Sequence, residues 1–132
     1  MKVFFDHNMS PALARATRKL FRDLHEIALL REKFRSDATD IEWIEGLSRE
    51  GRWLGISEDR RITRNRAEYA AFRASRLVGV FLASAVHKAP VVKKMERILA
   101  VWPALEALSA TVEGGALFEL PISGNRLRQM KP

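Results

Sequence analysis

Asp6, Asp40 and Asp59, with Asn8 two residues beyond the first, are the residues whose types and positions carry chemistry. Asp6 closes the apolar run Val3-Phe4-Phe5. Asp59 follows Trp53-Leu54-Gly55-Ile56-Ser57, and Asp40 heads a helical pattern between them. In a parallel α/β sheet the carboxyl ends of the strands and the neighbouring helix starts converge on one edge, where ligands bind. Three acids delivered to that edge repel one another until a hard cation sits among them. Together with the Asn8 amide oxygen, the Ser57 hydroxyl and Glu42 in the first turn of the Asp40 helix, they suit Mg²⁺ or Mn²⁺. His7, His25 and His87 lack the ligand spacing of a zinc site. A divalent ion so held binds phosphate oxygens, acidifies a bound water and stabilises a leaving oxygen. The run Arg60, Arg61, Arg64 and Arg66 begins beside Asp59 and is placed to hold the phosphates of an incoming strand.

These roles require particular elements. Lys2–Phe5, His25–Leu30, Arg52–Ser57 and Leu77–Leu82 are predicted as strands, the third and fourth apolar enough to be covered on both faces. Ser10-Pro11 predicts a helix start, with a capping hydroxyl followed by proline at the first helical position. Its apolar stripe is Leu13, Ala16, Leu20 and Phe21, with Arg15, Arg18, Lys19 and Arg22 opposite. Arg31–Asp37 reads as a basic loop, and Asp37 or Thr39 caps a helix over 40–50 that Gly51 ends. Helices are also predicted over 65–75 and from Pro90, with Pro103 kinking the latter or starting a successor. Gly114-Gly115, between 110–112 and 116–120, predicts a tight hairpin. The tail from Pro121 onward is polar and reads as loose. Strands alternating with helices at this spacing imply a mostly parallel sheet in helix–sheet–helix layers.

Simpler roles exist for the same side chains. Asp6 can cap a loop, Asp40 can act as a helix-dipole partner, and Asp59 can belong to an ordinary turn. Taken singly each acid is more often structural; jointly, on one sheet edge, they define a metal site. Trp43, Trp53 and Trp102 fall in apolar patterns and read as packing rather than base-stacking platforms.

At 132 residues the chain is the size of one domain, and 47% hydrophobic content supports a buried core. No apolar stretch approaches the roughly 20 residues of a membrane span. The start reads as a strand rather than a signal peptide, and the absence of cysteine fits a reducing cytoplasm. The net charge of +7 favours polyanionic partners, nucleic acid among them.

The opening Met1-Lys2-Val3-Phe4-Phe5-Asp6-His7-Asn8-Met9-Ser10 resembles that of the PIN-like nucleases of the VapC-related group, where a first strand ends in Asp-x-Asn before a helix. His25-Glu26-Ile27, Asp40-x-x-Trp43-Ile44 and Ile56-Ser57-x-Asp59 resemble three further motifs of that group, in order, over roughly the first 80 residues. The resemblance implies a three-layer α/β/α PIN-like fold with a mostly parallel central sheet. It implies an Mg²⁺- or Mn²⁺-dependent ribonuclease with Asp6, Asp40 and Asp59 as metal-binding acids, assisted by Asn8 and Ser57. It further implies a toxin held inactive by an antitoxin protein, with a homodimer as the common assembly. One departure matters: related branches often carry another acid where this chain has Arg61. Glu42 or Glu68 supplies the missing carboxylate, or the site holds a single metal. The competing expectations are a PIN-like scaffold that binds RNA or protein without cutting, and a receiver-like phosphoacceptor. The last lacks the paired acid after the first strand and has only Lys88 as a loose candidate for its lysine.

Overall fold

The computed structural model describes residues 1–131. Its centre is a six-stranded sheet in the order β2-β1-β3-β4-β5-β6. The strands are β1 (Lys2–Phe5), β2 (Glu26–Leu29), β3 (Trp53–Ser57), β4 (Val78–Leu82), β5 (Leu117–Leu120) and β6 (Arg128–Gln129). The first five run parallel and β6 pairs antiparallel to β5. Because β2 lies on one side of β1 and β3 on the other, the chain reverses its direction of winding at β1. Crossovers leave that point toward opposite faces and open a crevice at the carboxyl ends of β1 and β3.

The period-two alternation of the strands divides the core into two layers. Val3, Phe5, Leu54, Ile56, Val78, Val80 and Leu82 face one side. There they meet α1 (Pro11–Leu20), α6 (Val91–Ala100) and α7 (Trp102–Thr111). Phe4, Trp53 and Phe81 face the other, against α3 (Asp40–Glu50) and α4 (Arg66–Arg73). This is the three-layer α/β/α arrangement. Two one-turn helices, α2 (Leu30–Lys33) and α5 (Ser84–His87), begin just past the ends of β2 and β4. Part of the stretch read as a basic loop is therefore helical.

The longer helices start where their capping residues direct. Ser10 Oγ accepts the Leu13 N–H at 3.2 Å, Thr39 Oγ1 that of Glu42 at 3.1 Å, and Asn65 Oδ1 that of Glu68 at 3.0 Å. Gly51 ends α3 with φ at 143°. Pro103 falls in the first turn of α7, so the long helical pattern divides there into two helices. All three tryptophans are buried. Trp102 stacks on Phe21 with centroids 4.3 Å apart, and Trp43 packs edge-on to Phe4 at 5.5 Å.

The predicted hairpin at Gly114-Gly115 is not formed. Residues 110–111 end α7, and 117–120 form a strand parallel to β4. The glycines serve a close backbone approach instead: a Cβ on Gly114 would lie 2.6 Å from the Ser75 carbonyl oxygen, and Gly115 donates to the Leu77 oxygen at 2.6 Å. A glycine pair before an apolar run announces tight backbone geometry without saying which strand follows. The polar tail is also tied down at several points. Buried Arg97 donates to the carbonyls of Pro121 and Gly124, and Arg128–Gln129 pair with Phe118 and Glu119.

Candidate active site

The register of β1 and β3 assembles the site. Phe5 pairs with Ile56, and the Asp6 N–H continues the ladder to the Ile56 oxygen at 3.1 Å, so Asp6 and Ser57 leave adjacent strands side by side. Ser57 Oγ, buried, donates to Asp6 Oδ2 at 2.8 Å. The His7 N–H holds Asp6 Oδ1 at 2.7 Å. The same serine oxygen receives the Asp59 N–H at 3.1 Å, which fixes the turn carrying the third acid. Asn8 spans the two strand ends: its amide NH₂ faces Asp6 and Ser57 at 3.4 and 3.3 Å, while its oxygen accepts the Glu58 N–H at 3.0 Å.

Asp40 arrives from the first turn of α3, where the Trp43 indole N–H holds its Oδ1 at 2.8 Å. Asp6, Asn8, Asp40, Ser57, Asp59 and Arg61 line one cavity of about 230 Å³. That volume is below the usual range for a drug-sized ligand, so the cavity suits an ion, water or a single phosphate group. Its apolar floor depends on Gly55 and Gly79, paired on β3 and β4. A Cβ on Gly55 would overlap the Phe4 ring, and one on Gly79 would sit 2.7 Å from Leu117 Cδ2 and 3.1 Å from Phe72.

The electrostatics are those of crowded acids. Burial pushes the Asp6 carboxyl above its usual range, against the bonds from Ser57 and His7, and the charge of Asp40 pushes the same way. Glu68 on α4 is also raised, by burial first and then by the charge of Asp40 and a hydrogen bond with it. Asp59 is paired with Arg61. The Arg61 N–H meets Oδ1 at 2.9 Å and its guanidinium contacts Oδ2.

The expected residues divide accordingly. Asp6, Asp40, Asp59, Ser57 and Asn8 do come together. Glu42 is exposed, and neither Glu42 nor Glu68 lines the cavity, although the Asp40 charge acts on Glu68. Arg60 turns away from the cavity edge to Glu119 Oε2 at 2.5 Å and the Leu82 carbonyl at 3.4 Å. Arg64 and Arg66 line a separate groove.

Two anchors were not visible in the sequence. Glu58, its side chain 8% exposed, accepts Lys94 Nζ at 2.5 Å and lies 3.0 Å from His87 Nδ1, fastening the Ser57–Asp59 turn to α5 and α6. Glu119 is held below the usual glutamate range by the Arg60 hydrogen bond first and by Arg128 as well.

The donor set fits a hard divalent cation: the carboxylates of Asp6, Asp40 and Asp59, a hydroxyl and an amide line one cavity, and burial raises the Asp6 carboxyl there. The fit is incomplete as the side chains stand. Among the described residues no three His, Asp or Glu side chains form a group able to hold a metal ion. Asp59 is engaged by the Arg61 guanidinium.

The family model described as a PIN-like domain matches residues 1–84. The chain belongs to that family, whose members are generally nucleases and typically use divalent metals. No curated protein and no solved structure gives a match. No helix among the described residues is long and apolar enough to cross a membrane.

Proposed function

We propose that this domain is an Mg²⁺- or Mn²⁺-dependent endoribonuclease, with Asp6, Asp40 and Asp59 as the metal-binding carboxylates, Asp59 joining the other two when Arg61 withdraws. The observation that carries this reading is the single cavity at the β1/β3 edge, lined by Asp6, Asp40 and Asp59 with Ser57. A bound divalent ion supplies charge for the scissile phosphate and acidifies a water.

The chain's own residues do the rest. Ser57 and the His7 N–H fix the Asp6 carboxylate, and the Trp43 indole fixes Asp40. Burial favours the protonated forms of Asp6 and Glu68, so a proton held on either can be exchanged with a reacting group. The apolar floor of Phe4, Ile62, Phe72 and Phe81 limits water around the reacting phosphate.

We read the protein further as the toxin of a toxin–antitoxin pair acting in the cytoplasm, a reading supported by the motif resemblance and the basic surface. Expression of the wild-type chain in bacteria should arrest growth, and expression of Asp6→Asn should not. Equal growth of the two cultures contradicts the toxin role.

A second reading, a scaffold that binds RNA or a protein without cutting, is favoured by one observation: Arg61 stands where another acid was expected and engages Asp59. Cleavage of an RNA pool with Mn²⁺, abolished by EDTA, separates the two.

A further inference from the structure

The arginine run that begins beside Asp59 faces two different places. Arg61 and Ile62 line the acid cavity, whereas Thr63 and Arg64 already line a neighbouring groove of about 810 Å³. With about 3.8 Å between successive Cα atoms, the two openings are adjacent.

The groove runs along α4 beneath the end of the tail. Its working surface is Arg64, Arg66, Tyr69, Arg73, Met130 and Lys131. Arg66, Tyr69 and Arg73 recur at helical spacing on one face of α4, and the Arg73 guanidinium lies 5.8 Å from the Tyr69 ring centroid. Among the described residues no carboxylate lines the groove and none of its four cations has an ion-pair partner. By contrast Arg15, Arg18, Arg60, Lys94 and Arg128 are all paired.

We propose that this groove holds a single-stranded RNA segment next to the acid cavity, its phosphates on Arg64, Arg66, Arg73 and Lys131 and a base against Tyr69. Four cations clustered beside an aromatic ring match a backbone of phosphates with exposed base faces. A duplex presents its bases edge-on and leaves the ring without a partner. Met130 and Lys131 lie outside the segment that the family model matches, so the tail contributes part of this surface. The inference deepens the nuclease reading by placing the substrate strand, but its test needs no cleavage.

Binding of a fluorescently labelled dodecamer of oligouridylate is measured by anisotropy in EDTA, over a series of salt concentrations, beside an RNA hairpin duplex of equal length. Wild-type protein should bind the single strand tighter than the duplex. Arg66→Ala/Arg73→Ala, with an unchanged circular dichroism spectrum, should bind about tenfold or more weakly. Its log–log salt slope should be shallower by about 1.4, the share of two phosphate contacts on a single strand. Tyr69→Leu should weaken binding about fivefold or more with the slope unchanged. Equal affinity of wild type and the double variant overturns the groove, as does absence of binding by the wild type. Duplex binding as tight as single-strand binding overturns the strand assignment. If the groove behaves as expected but wild-type protein with Mn²⁺ cuts no RNA, the groove stands and the nuclease reading falls.

Discussion

Ser57 Oγ donates to Asp6 Oδ2 at 2.8 Å while accepting the Asp59 N–H at 3.1 Å, so one buried hydroxyl ties the first acid to the turn bearing the third. Ser57→Ala removes that tie and leaves Asp6 with less support for its charge. Mn²⁺ affinity, measured by titration calorimetry, should fall about tenfold or more, about 1.5–3 kcal/mol being the worth of a hydrogen bond to a charged group. Unchanged affinity means the hydroxyl does not position the carboxylate.

Burial raises the Asp6 carboxyl in the folded state. The folded protein therefore binds this proton more tightly than the unfolded chain. The group's contribution favours folding at acid pH and is lost as pH rises through the folded value. At neutral pH without metal, its charge is a cost. Asp6→Asn should then raise Tm by about 2–5 °C in EDTA, roughly 1 kcal/mol for a domain of this size. It should also remove part of the decline in stability from acid to neutral pH. A variant less stable than wild type at neutral pH contradicts the electrostatic account of this residue.

Glu119 behaves in the opposite sense. Its folded value is lowered by Arg60 and Arg128, so its contribution is present above the unfolded value and lost as pH falls through the folded one. Arg60→Ala should destabilise by about 1 kcal/mol in urea melts at neutral pH, less in acid, because it leaves the partly buried Glu119 carboxylate with Arg128 as its remaining partner. Affinity for the oligouridylate should hold. A stable variant that binds RNA poorly would return Arg60 to the substrate surface.

Arg61, 82% exposed, competes with any cation for Asp59. Arg61→Ala should tighten Mn²⁺ binding several-fold, read by calorimetry at fixed ionic strength, since one positive charge leaves the cavity. Weaker binding would mean that the arginine supports the metal-binding arrangement.

The acids were legible in the sequence because topology does the gathering. A parallel sheet puts the residue after each apolar run on one edge, so Asp6 and Asp59 needed only their strands to be recognised. The caps Ser10 and Thr39 were legible because capping is local. The pairing of Arg60 with Glu119 is not legible in the arginine run, because Glu119 is 59 residues away on β5. Glu58 with Lys94, and Glu68 with Asp40, escaped for the same reason: partner choice across layers depends on register and helix rotation. Gly114-Gly115 misled because a backbone contact and a hairpin turn ask for the same residue.

The central claim is that the β1/β3 cavity hydrolyses RNA with a divalent ion. Its most direct test is incubation of purified protein with a mixed RNA pool, with Mn²⁺, Mg²⁺ or EDTA, beside Asp6→Asn. The account expects cleavage with metal, none with EDTA, and loss of at least a hundredfold in the variant, the scale of removing one catalytic carboxylate. Cleavage that persists in Asp6→Asn, or no cleavage by folded protein that binds Mn²⁺, contradicts it.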